Sequence, residues 1–167
     1  MIDRAFKYIA DRLNQQMREE LQYQDNLVTV SNLKSSGPGL PPQCNNRLIL
    51  SVFNVELETQ LAPPKRPLSK VDRLSMVREP TSFDIGFLLV SNFEDYTNAL
   101  AFLSRSVGYF QDKPSFRQSD GGTFPMETSL IQIEALKLSL EEQQRIWSML
   151  GIPYLPSMAY RARIISE

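Results

Sequence analysis

The 167-residue sequence contains no histidine. That removes at once the Ser-His-Asp triad, the Cys-His dyad, the imidazole zinc ligand and the near-neutral imidazole proton shuttle. An enzyme built on this chain would have to work through carboxylates, lysine, tyrosine or a cofactor. Cysteine is scarce as well: Cys44 stands alone, so no intramolecular disulfide can form, which fits a reducing compartment. It reads as a loop or partly buried thiol in preference to a nucleophile. Long apolar runs are missing, and none approaches the roughly 18 to 20 residues that cross a bilayer. The first turns interleave Asp3, Arg4, Lys7, Asp11 and Arg12 among apolar residues, unlike a secretion signal, so synthesis and folding in the cytoplasm are expected. A charge excess is also lacking. The net charge of -1 supplies no field to collect nucleic acid or an anionic membrane, and neither is expected as a partner.

What is present suits one core. The length and apolar content are those of a single globular domain spanning 1–167. Ile2, Phe6, Ile9, Leu13, Met17 and Leu21 recur at helical spacing and predict a helix from Ile2 to about Tyr23. Leu27 to Ser31 reads as a short strand, Lys34 to Pro42 as a loop, and Arg47 to Leu57 as a longer, two-sided strand. Phe83 to Val90 predicts a strand with one strongly apolar face at Phe83, Ile85, Phe87 and Leu89. Ser91 and Asn92 can cap a following helix that runs to about Gln111, with Tyr96, Leu100, Leu103, Val107 and Phe110 as its core face. Arg117 to Thr123 is a Gly-Gly turn region and Ser129 to Leu138 another strand. Ser139 and Glu142 match a capping box ahead of a short helix that Gly151 and Pro153 end. Met158 to Ser166 is a final strand with Arg161 and Arg163 on one face. The order α-β-β-β-α-β-α-β predicts an α/β fold of the α+β kind, with about three helices packed on a mixed, mostly antiparallel sheet.

The segment 59–80 stands apart. Pro63, Pro64, Pro67 and Pro80 withhold backbone donors, and Lys65, Arg66, Lys70, Arg73 and Arg78 make it locally basic. It is either a solvated loop or a partner-binding arm. No aromatic residue interleaves its charges, which argues against stacking on single-stranded nucleic acid.

No constellation for chemistry emerges. Asp120-Gly121-Gly122-Thr123 lacks the lysine and spacing of a phosphate loop and reads as a turn. Glu94 with Asp95, and Glu141 with Glu142, are adjacent on helices, so each pair diverges by about 100° and reads as N-terminal helix charge. Phe102, Tyr109 and Phe110 fit core packing better than a stacking surface. The residues alone therefore yield a mixed α/β domain without catalytic, cofactor-binding or metal-binding residues.

Several blocks carry a resemblance. Met1-Ile-Asp-Arg-Ala-Phe-Lys-Tyr-Ile-Ala-Asp-Arg-Leu-Asn14 is similar to the start of the cap, or tail terminator, family of extracellular phage-tail-like contractile injection systems. The similarity continues at Val30-Ser-Asn-Leu33, Pro41-Pro42, Leu48 to Glu56, Leu88 to Tyr96, Ala99 to Ser104 and Tyr109-Phe-Gln111. It closes with Leu138 to Glu142, Trp147, Leu150-Gly151 and Tyr154 to Ser157. Many members carry a further C-terminal region, so this chain resembles the minimal cap domain. The resemblance implies a structural, non-enzymatic protein. It would form a homo-hexameric ring on the inner tube protein and the sheath protein, close their distal end and stop tube growth, in a particle that can be released from the cell. A baseplate or sheath-adjacent adaptor of the same particle is the alternative, and a small histidine-free enzyme a more distant one. The contacts expected on that reading are the 59–80 arm, with Lys65, Arg66, Lys70, Arg73 and Arg78, and the terminal strand with Arg161 and Arg163. Both would act partly by strand addition to exposed sheet edges.

Overall fold

A computed structural model describes residues 1–22, 25–58 and 81–166 of the chain. Three helices, α1 (Ile2–Leu21), α2 (Tyr96–Asp112) and α3 (Leu140–Leu150), pack on one sheet. Its strands are β1 (Val28–Val30), β2 (Arg47–Glu58), β3 (Ser82–Asn92), β4 (Ser115–Phe116), β5 (Thr128–Ala135) and β6 (Ser157–Ser166), in the order β1-β2-β3-β6-β5-β4. Among the described strands only β1 and β2 run parallel, so the sheet is mixed and mostly antiparallel as the sequence predicts. The two-residue β4 is too short to leave a periodic signal and was not expected.

Two cores sandwich the sheet. On one face α1 and α2 bury Phe6, Ile9, Leu13 and Phe110 against Leu48, Leu50, Ile85, Phe87, Leu89, Tyr160 and Ile164. On the other, α3 and the 33–44 connection bury Trp147, Leu33 and Cys44 against Ile49, Leu88, Val90 and Ala159. This explains a correction at β3. The sequence suggested one apolar face, but Ile85 to Ser91 are all buried, because the strand sits mid-sheet with helices above and below. Gly86 makes room there for the Phe53 ring. A Cβ at that glycine would lie 2.7 Å from the ring, and Phe53 occupies the irregularity where β2 skips between Val52 and Asn54.

α2 departs from expectation in two ways. β3 continues through Ser91 and Asn92, so the cap is Asp95, whose carboxylate accepts from the Asn98 amide at 2.8 Å. Its buried face is Ala99, Ser106 and Phe110, leaving Tyr96 and Leu100 exposed. Small residues on that face let the helix lie close to β3, and Ser91 Oγ donates to the Ala99 carbonyl at 2.7 Å. α3 forms as predicted: the Glu142 amide donates to Ser139 Oγ, the Ser139 amide donates to Glu142, and Gly151 ends the helix at φ 67°.

The Tyr160 ring stacks on Phe87 at 5.5 Å and meets Phe110 edge-on at 5.2 Å. Its buried hydroxyl finds no hydrogen-bond partner among the described residues, and burial pushes Tyr160 up to about 12. Between pH 10 and 12 the unfolded chain releases this proton while the folded chain holds it. Stability that is full below pH 10 is therefore lost as the pH rises toward 12, by about 2 kcal/mol. Tyr160→Phe keeps both ring contacts and removes the hydroxyl. Urea unfolding is expected to show undiminished stability at pH 8 and a shallower alkaline decline; an equally steep decline would refute this account.

Candidate assembly interface

β2 is twelve residues long, whereas β1 pairs with it only from Leu48 to Leu50, with one further bond from the Ser31 amide to the Leu50 carbonyl. From Val52 to Glu58 its other side pairs with β3 down to Glu58↔Ser82, and the outer side has no strand partner among the described residues. The sequence reading of β2 as a central, two-sided strand therefore holds for Leu48 to Ser51 and fails beyond, where the strand becomes an open edge.

The two faces of this outer segment differ in chemistry. Val52 is registered with Phe87, Val55 with Ile85 and Leu57 with Phe83, so all three point to the α1 and α2 side. With Val30 of β1, which is registered with Leu50 on that same side, they form a row exposed at 44% (Val30), 37% (Val52), 50% (Val55) and 60% (Leu57). On the opposite face lie Glu56, Glu58 and Asp84. Arg163 of β6 donates from Nε to Asp84 at 3.1 Å and from Nη2 to Glu58 at 3.4 Å, so one guanidinium ties three strands together. The hydrogen bond to Asp84, with the charges of Asp84 and Glu58, holds the Arg163 guanidinium above its ordinary value. Ser82 Oγ also donates to Glu58 at 2.9 Å.

The β1 edge of the sheet is partly closed by α1. Asn14 of α1, 3% exposed, donates from Nδ2 to the Val28 carbonyl at 3.0 Å and accepts from the Val28 amide at 2.8 Å. A single side chain thus satisfies the outward-facing amide and carbonyl of Val28 in place of another strand.

Of the residues singled out by sequence, Lys65, Arg66, Lys70, Arg73 and Arg78 lie outside the described residues. Arg163 is half-exposed in the three-strand clamp, and Arg161 is exposed beside it, registered between Gly86 and Glu134. The edge segment Val52 to Leu57 was not singled out. Three exposed apolar residues in one strand were the available signal, hidden because the run looked like core.

Other features offer no convergent chemistry. Cys44 is fully buried with Sγ 3.8 Å from the Asn32 carbonyl. The Gly-Gly turn is a structural corner, where Tyr8 OH donates to the Gly121 carbonyl at 3.0 Å and Asp120 accepts from the Arg117 amide. Among the described residues no cluster of three or more Cys, Asp or Glu could hold a metal, and no helix is long and apolar enough to cross a membrane.

Comparison with known proteins gives this surface its context. The sequence matches no curated protein. One structurally similar chain is the sheath/tube terminator of PVC, an extracellular contractile injection system, in the extended state. It is 12% identical, with 95% of this chain and 55% of that chain covered at a TM-score of 0.54. Another is the tube-terminating cap of the anti-feeding prophage, 12% identical, with 92% of this chain and 52% of that chain covered at a TM-score of 0.55. The chain spans about half the length of each, and at that identity the likeness is one of fold. Residues 6–166 match the model of the Pvc16 N-terminal domain. These findings agree with the cap-family resemblance read from the sequence, and the chain belongs to the Pvc16 N-terminal domain family.

Proposed function

We propose that this chain is a structural, non-enzymatic cap of a contractile injection system, forming a hexameric ring that closes the distal end of the inner tube and sheath and stops tube growth. The observation that carries the reading is the family match over residues 6–166, joined to a fold shared with two tube terminators. The open edge of β2 supports it, since an exposed strand edge flanked by apolar side chains is a template for pairing with another chain. A six-fold tube end offers equivalent sites, and a ring of identical subunits can match them through heterologous contacts that return on themselves. Assembly takes place in the producing cell, and the particle is of the kind that can be released. Tube, sheath and further copies of the chain are its partners; nucleic acid and membrane are not.

The 59–80 segment, rooted at the open edge, serves on this reading as a contact arm. Removing residues 60–79 is expected to leave thermal unfolding within a few degrees of the intact chain while cutting cap occupancy on isolated particles at least ten-fold, scored by electron microscopy. Full occupancy by the shortened chain would rule the arm out.

A further inference from the structure

We draw no further inference here: the strongest candidate, the apolar groove of about 470 Å³ that Pro38 and Leu40 of the β1–β2 connection form with Ile152, Pro153 and Leu155 of the α3–β6 linker, carries nothing because nothing in the structure shows what covers it.

Discussion

Replacing Asn14 with leucine is expected to lower the unfolding free energy by about 3 kcal/mol, a loss of roughly 10 °C in thermal midpoint for a chain of this size. Leucine has nearly the same size and would sit in a helix whose neighbours, Leu13 and Met17, are buried and apolar, so hydrophobicity alone predicts a gain. The backbone decides otherwise. The Val28 amide and carbonyl point away from β2 and meet only the Asn14 side chain, at 2.8 Å and 3.0 Å. Without it both groups stay buried and unsatisfied, at about 1 to 3 kcal/mol each. β1 would also become a second open edge, so the variant should self-associate at concentrations where the parent does not. Urea unfolding with light scattering checks both effects, and a loss below 1 kcal/mol would show that the pairing is dispensable.

Asn14 also shows where sequence reading reaches its limit. The stripe Ile2, Phe6, Ile9, Leu13, Met17 and Leu21 predicts α1 to within two residues, because helical periodicity is set locally. A polar residue one step from that stripe looks like the edge of the solvent face, and its role depends on a strand fourteen residues away. The capping box of α3 was legible for the same local reason. The core face of α2 was not: Ala99 and Ser106 are buried because close approach to β3 favours small side chains, whereas hydrophobicity points to Tyr96 and Leu100. The candidate surface was half legible. Arg163 drew notice by composition and the 59–80 segment lies outside the described residues, but the open edge of β2 depends on where β1 stops pairing, which is a property of topology.

The largest functional effect is expected in particles made without this chain. On the proposed cap reading, an uncapped tube end would keep every site for the next subunit, so growth would be limited by subunit supply instead of by a closing ring. Capping requires only that the ring occupy those sites, which needs no bond chemistry and is consistent with a surface whose prominent features are an open edge, an apolar row and an ionic clamp.

Electron microscopy of particles from cells with and without the chain, scoring tube-length distribution and the end at which density is lost, tests the claim most directly. The terminator account predicts a narrow distribution turning broad, with unsheathed or irregular tubes and loss of a six-fold density at the end far from the baseplate. Unchanged tube length, with density missing at the baseplate end, would contradict it and assign the chain to the other end of the particle.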